Sequence, residues 1–408
     1  MSASRKGLIG IGFAFAVTMV GTTLPTPLYP LYRQQLSISN LTITVIYAVY
    51  AAGVLVALLL LGELSDRIGR RPVLLAGVAL SALSAVIFLV QDGLTLLLIG
   101  RVLSGLSAGL FTGTATAAMV ELVDFADRSR ATFAATVVNM GGLGLGPLLA
   151  GLVAQYVGYP LRTVFVVDLV LLVPAAVLLW AAPETVKERK GFRLHVTRVA
   201  VPTQVRAQFV RASVIGFAGF VVLGLFGAVI PSALGQLIGI HDRAAIGATV
   251  FLIFFGSVLG QAGVERLSLN RAMALGCLLL AAGMGVLATA LGLRSMSLIV
   301  AAAMVAGIGQ GLSFRAGLML ITGPTPADQR GEVTSALFTV LYVGISLPIV
   351  GVGLADRAWG LQHTGMVTTG LVAILALLIL ASSVKADLPA AVSSEHTGSP
   401  HNSDQSTR

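Results

Sequence analysis

Long runs of apolar residues, each about the length needed to cross some 30 Å of hydrocarbon, alternate along this chain with short polar connections. A window of that length predicts twelve spanning helices, roughly at residues 7–31, 41–62, 72–91, 94–119, 131–155, 162–182, 207–231, 244–264, 272–291, 296–321, 332–354 and 363–384. Arg5 and Lys6 precede the first run as they would in a secretory leader. No small-residue cleavage site follows, however, and Pro25, Pro27 and Pro30 close the far end of the run, so a retained helix is expected. The longest internal connection, 184–206, is basic, with Lys187, Arg189, Lys190, Arg193, Arg198 and Arg206. It divides an expected six-helix bundle over 1–183 from a second over 207–384, and residues 385–408 read as a disordered polar tail.

Composition agrees with the pattern. Of 408 residues, 56% are hydrophobic and 11% charged, with a mean hydropathy of +0.93, which leaves too little polar surface for a soluble globule. The fold class expected is an all-α integral membrane protein. A net charge of +9 could suggest a nucleic-acid partner, but the bases fall in short connections between apolar runs, and no nucleic acid is expected. The single cysteine, Cys277, lies in an apolar run. His195, His241, His363, His396 and His401 have no ligand-like spacing, so no metal and no cofactor is expected.

Orientation follows from the bases. With a cytoplasmic N-terminus, nineteen of the 26 Lys and Arg fall on the cytoplasmic side. Five, Arg33, Arg162, Arg243, Arg294 and Arg357, fall on the other, and Arg101 and Arg315 lie within spans. That bias predicts a multi-pass protein of a cell membrane, a bacterial inner membrane, with both termini inside. The two halves also correspond at an offset of 201: Pro30 with Pro231, Gly62 with Gly263, Arg70 with Arg271, Asp127 with Asp328 and Pro147 with Pro348. Five matches at one offset argue for two parallel six-span repeats. In the second copy Leu267 stands opposite Asp66, with Glu265 and Arg266 nearby.

Three stretches carry a resemblance. The connection between the second and third runs reads Gly62-Glu-Leu-Ser-Asp66-Arg67-Ile-Gly69-Arg70-Arg71-Pro72. Gly62 would let helices approach, Asp66 could cap the next helix, and the arginines would sit among cytoplasmic headgroups. Span four carries Arg101-Val-Leu-Ser-Gly105-Leu-Ser-Ala-Gly109, and span five carries Gly142-Leu-Gly-Leu-Gly146-Pro147-Leu-Leu-Ala150-Gly151. The span-five glycines would lay bare backbone along one helix face, and Pro147 would bend the helix. Together these resemble the major facilitator superfamily: its loop between spans two and three, its span-four arginine and its antiporter segment, in which Ala150 stands where a glycine is usual. The resemblance implies two pseudo-symmetric six-helix bundles. It also implies that spans one, four, seven and ten line a central cavity, and that the antiporter segment marks a proton-driven exporter.

A charge at membrane depth is costly unless paired or hydrated, so Arg101, Asp168 and Arg315 are the leading candidates for function. Arg101 and Asp168 both sit roughly 10 Å deep, counting about 1.5 Å per residue from the outer ends of spans four and six, and could pair. Losing that partner to substrate would favour proton uptake, with a permanent structural ion pair, or an Asp168 that snorkels outward, as the alternatives; Asp168, Arg101 and Asp66 are the proton-coupling candidates. Arg315 has no evident acidic partner at its depth and would favour an anion if it faces the cavity, although carbonyls or Gln310 could also hold it, or it could snorkel to the cytoplasmic interface. By span position, Thr22, Thr23, Tyr29, Thr112, Thr114, Thr116 and Gln310 are further cavity candidates. Span one has no acidic residue, which argues against a specialist for cationic drugs. Glu121, Asp124, Asp127, Asp328 and Glu332, near Arg128, Arg130 and Arg330, are expected to lock the halves on the inner face together with Asp66, Arg67, Arg70 and Arg71.

No Gly-x-x-x-x-Gly-Lys-Ser/Thr occurs, so an ion gradient rather than a nucleotide would supply energy. The expectation is a proton-coupled exporter of a small organic compound, working by alternating access as a monomer. A proton symporter that imports a metabolite or organic acid is the alternative. An enzyme would need converging nucleophile, base or metal ligands, and none is found.

Overall fold

The structure, a computed structural model, describes residues 3–62, 64–186, 201–326 and 329–387, and every regular segment among them is helical. The long helices of the first half are α1 (Ala3–Thr23), α2 (Asn40–Leu61), α3 (Arg70–Val90), α4 (Leu94–Glu121), α5 (Arg128–Tyr156) and α6 (Pro160–Trp180). Those of the second are α7 (Arg206–Gly224), α8 (Arg243–Gly263), α9 (Leu269–Leu293) and α10 (Met296–Thr322), followed by the continuous stretch Arg330–Asp387. That stretch holds two spans. Gly360 breaks it at φ 75° and ψ 159°, a conformation open to glycine because it has no Cβ, and 330–359 and 361–387 are α11 and α12. The expected twelve spans are therefore all present. Lys187, Arg189, Lys190, Arg193, His195, Arg198, Asp328 and the tail from 388, with His396 and His401, lie outside the described residues.

Proline shapes two spans differently from expectation. The first does not run unbroken to 31: α1 stops at Thr23, and the chain continues through a tight turn at Thr26–Leu28 into a short helix, Tyr29–Leu36. Pro25, Pro27 and Pro30 remove the donors a continuous helix would need. The seventh does not stop at Pro231. Beyond α7 the chain passes through a π turn, Leu225–Val229, a helical turn, Ile230–Ala233, and a second π turn, Leu234–Ile238. Pro231 is the second residue of the middle segment, where its missing N–H costs little.

The helices are apolar outside as well as inside. On α6, Val166, Val170, Val173 and Val177 are exposed while Asp168, Leu172, Ala175 and Leu179 are buried, the arrangement that a lipid surround demands. The two halves meet chiefly where α5 packs along α8 and α2 along α11. Residues at the 201 offset hold like places: Gly62 and Gly263 close α2 and α8, and Pro147 and Pro348 lie inside α5 and α11.

The α5 glycines serve two faces rather than one. Gly142 lies against Ala16 and Met19 of α1, and Gly146 against Val20 and Thr23 of the same helix. Gly144 faces Phe251 and Phe254 of α8, and Gly151 faces Arg243 and Gly247. At 100° per residue, position 151 stands opposite position 142, so α5 is wedged between α1 in its own half and α8 in the other.

Candidate functional site

Between the halves, at the depth of Arg101, lies a cavity with two unlike walls. The first half contributes Thr22, Tyr47, Tyr50, Arg101, Thr112 and Asn139. The second contributes mainly rings: Phe220 of α7, Phe254 of α8, Phe314 of α10, and Phe338 and Tyr342 of α11. Phe220 stands 5.9 Å from both Phe314 and Tyr342, and Phe338 lies 6.1 Å from Phe314 and 6.4 Å from Tyr342, centre to centre. The space inside is about 60 Å³, room for a handful of waters, so the halves must part to admit an organic molecule.

Arg101 is 1% exposed. Its Nη1 donates to the Thr22 carbonyl at 2.7 Å, and its guanidinium lies 4.6 Å from the Tyr50 ring centre and 5.9 Å from that of Tyr47. Rings at this range attract a cation through their negative faces. The Arg101 Nε has no hydrogen-bond partner. The expected ion pair with Asp168 is not formed: among the described residues no carboxylate is paired with Arg101. Asp168, 2% exposed, instead lies against Gly21, and its Oδ1 has no hydrogen-bond partner. The two side chains share a depth but reach α1 from different neighbours, Asp168 from α6 and Arg101 from α4.

Arg315 does not face the cavity; it has an acidic partner that was not evident in the sequence, together with the carbonyl bond that was its alternative. It pairs with Glu265 at 2.8 Å, donates to the Gln261 carbonyl at 2.7 Å, and lies over Phe133 of the opposite half at 4.9 Å. Glu265 reaches it from the turn that follows α8. Arg315 is not among the residues lining this cavity, nor is Gln310, whose Oε1 accepts from Ser257 at 2.6 Å. Tyr29 also stands back from the cavity, edge-on to Tyr47 at 6.5 Å. Thr22, Thr23 and Thr112 do line it, with their hydroxyls bonded to the Met19, Leu143 and Ala108 carbonyls.

At the end of the molecule that carries the loop before α3, Arg70 gathers Asp66 at 2.6 Å, Glu121 at 2.9 Å and Ser65 at 2.6 Å. Asp66 does not cap α3. Glu184 does, taking the N–H groups of Arg70 and Arg71 at 2.8 and 2.9 Å, because Gly69 at the cap position has no side chain to offer. Arg71 lies over Trp180 at 5.5 Å. Asp127, the residue before α5, pairs with Arg130 in the first turn of that helix, and Arg330 bonds the Thr325 carbonyl. The pairs of Asp66, Glu121 and Asp127 thus each stay within one half, short of the lock across the halves that was expected of them.

At the opposite end the halves are tied directly. Asn40 donates to Asp356 at 2.8 Å and accepts from Arg33 and Gln236, each at 3.2 Å. Arg243 donates to the Ala154 carbonyl at 2.8 Å, and Gly353 lies against Leu41 and Thr44.

Sequence reasoning missed Glu184, Asn139 and the aromatic wall. The rings leave a faint signal, since a chain only 6% aromatic spends five of them on four helices of one half around one cavity. Among the described residues no His, Cys, Asp and Glu cluster could hold a metal ion.

The sequence profile of the Major Facilitator Superfamily matches residues 11–349. The chain is 28% identical over 405 residues to an uncharacterized MFS-type transporter of Mycobacterium tuberculosis, covering 91% of this chain but 57% of that protein's length. It is 36% identical over 102 residues to the multidrug resistance protein MdtL of Escherichia coli, a quarter of each chain (25% and 26%). A bacterial homologue of the human lysosomal transporter Spinster superposes with a TM-score of 0.73 at 15% identity, over 94% of this chain and 98% of that one.

Proposed function

This chain belongs to the Major Facilitator Superfamily, and from that premise we propose that it exports a small organic compound in exchange for protons, by alternating access. It is a secondary transporter of small molecules rather than an enzyme. The observation that carries the exchange is Asp168, a buried carboxyl with no cation fixed to it, one residue of α1 away from the carbonyl that holds Arg101. A carboxyl can take up a proton on one side and lose it on the other, and here its contact with Gly21 links that event to the helix that lines the cavity.

The antiporter-type glycines support the export direction, as does the local likeness to a protein named for multidrug resistance. The bias of basic residues supports placing the Arg70 end in the cytoplasm. In that orientation the Asn40–Asp356 tie closes the outer face. Parting of α2 from α11 and of α5 from α8 there, with closure at the Arg70 end, is the alternation.

The test is accumulation of a panel of aromatic drugs and metabolites in cells expressing the wild type or Asp168→Asn, with and without a protonophore. Wild-type cells should hold less of some compound, and the protonophore or the substitution should remove that difference. Higher accumulation on expression would mean import and would overturn the export direction.

A further inference from the structure

Arg101 is the only charged residue among the described residues that line the central cavity, and it has no carboxylate partner. A buried cation without a counter-charge is costly, and one carbonyl with two flanking rings offsets only part of that cost. Its Nε still has a hydrogen to donate. The other polar side chains of the same wall are those of Thr22, Thr23, Tyr47, Tyr50, Thr112 and Asn139, and the Asn139 Oδ1 is also without a partner. None of these can neutralise a guanidinium, whereas an anion entering the cavity would.

The facing wall makes the second demand. Phe220, Phe314, Phe338 and Tyr342 form one continuous set of rings, set at 33–74° to one another, and offer a pocket of ring faces and edges. Rings in such a pocket stack offset or edge-on, with centres roughly 4.5–7 Å apart. The charge reader belongs to one half and the ring reader to the other, so a ligand satisfying both must be anionic at one end and aromatic at the other.

We propose that the transported compound is an aromatic monoanion, its carboxylate or equivalent held by Arg101 and its ring packed among Phe220, Phe314, Phe338 and Tyr342. Arg101 is then a binding residue that sets charge specificity, and Arg315, already paired with Glu265, takes no part in it. Such a ligand bridges the halves and neutralises the buried cation in the same event.

Such binding presupposes that the cavity is the transport site, and the two can fail separately. The test therefore uses binding to the full chain in nanodiscs without any gradient, by equilibrium dialysis against empty nanodiscs. The probes are 2-naphthoate, its neutral analogue 2-naphthamide, and 2-naphthylmethylammonium. In the wild type, naphthoate is expected to bind at least about tenfold more tightly than the other two, as a charge-assisted hydrogen bond would give. Arg101→Gln should weaken naphthoate roughly tenfold to a hundredfold while changing naphthamide little, so naphthamide also reports that the cavity is intact. Phe314→Ala should weaken all three. If Arg101→Gln does not fold, the wild-type order of the three probes decides, with Arg101→Lys expected to keep the preference for the anion. Equal or better binding of the amide or the ammonium, naphthoate affinity unchanged in Arg101→Gln, or no binding of any probe at millimolar concentration each overturns the proposal. A wrong flux direction in cells overturns export and leaves this binding result standing.

Discussion

Gly21 lies directly against Asp168: a Cβ built on the glycine would stand 2.9 Å from Oδ2 and 3.1 Å from Oδ1. The next residue, Thr22, gives its carbonyl to Arg101 at 2.7 Å. Gly21→Ala must therefore displace either the carboxylate or α1, at a cost of about 1–3 kcal/mol. Asp168→Ala removes the obstacle. Thermal unfolding should show the double variant losing less stability than the two single losses added together, by about 0.5–3 kcal/mol. Strict additivity would mean that the two residues do not press on each other.

The Asn40 network should set how often the far end opens. Asn40→Ala removes a hydrogen bond to the Asp356 carboxylate worth about 1.5–3 kcal/mol, a shift of roughly tenfold or more in the open population. Ser232, 5% exposed beside Asn40 and Asp356, is a site to watch. With the buried native thiol removed by Cys277→Ala, Ser232→Cys should react faster with an impermeant maleimide when Asn40→Ala is also present. Equal rates would show that the network does not hold this end shut.

Gly69 combines a glycine-only conformation, φ 103° and ψ 155°, with a carboxylate where its side chain would be: a Cβ would stand 2.7 Å from Glu184 Oε2. Gly69→Ala should cost about 1–3 kcal/mol. Glu184→Ala, which uncaps α3, should cost about 0.5–2 kcal/mol. Melting temperatures in detergent check both, and a Glu184→Ala protein as stable as the wild type would show that α3 does not depend on this cap.

Glu265 is 59% exposed in its pair with Arg315, so the pair should contribute no more than about 1 kcal/mol. Glu265→Gln is expected to leave transport in vesicles within about twofold of wild type, whereas Arg101→Gln should remove most of it. A Glu265→Gln protein with greatly enhanced uptake of anions would move the substrate-reading role to Arg315.

The number and order of spans were legible because hydrocarbon thickness imposes a length on every crossing helix. The faces of those helices were not. A helix such as α6, apolar toward lipid through Val170 and toward its neighbours through Leu172, has no periodicity that says which side is inside. Counting residues gives depth, and depth rightly put Arg101 and Asp168 at one level. It gives no direction around the helix, and so suggested a pair between side chains that approach α1 from α4 and α6. Arg315 fails for the complementary reason: its partner Glu265 lies on a connecting turn, 50 residues away in sequence, and reaches back toward α10. The loop around Arg70 was readable as a cluster, while Glu184 was not, because its role appears only when the end of α6 folds back beside Gly69.

The two π turns after α7 have a bearing on how the far end can let go. The first runs past the cavity, and there a Cβ on Gly227 would meet the Tyr47 hydroxyl at 2.6 Å. A π turn carries one residue more than an α turn, so its conversion would swing everything beyond it by about 100° about the helix axis. Swivelling at Leu225–Val229 would carry Gln236 away from Asn40 while α7 itself stayed upright. The molecule thus has slack wound into its seventh span, and a twist of that slack would undo one strand of the knot at the far end, leaving Asn40–Asp356 and Arg243–Ala154 to part with the halves themselves.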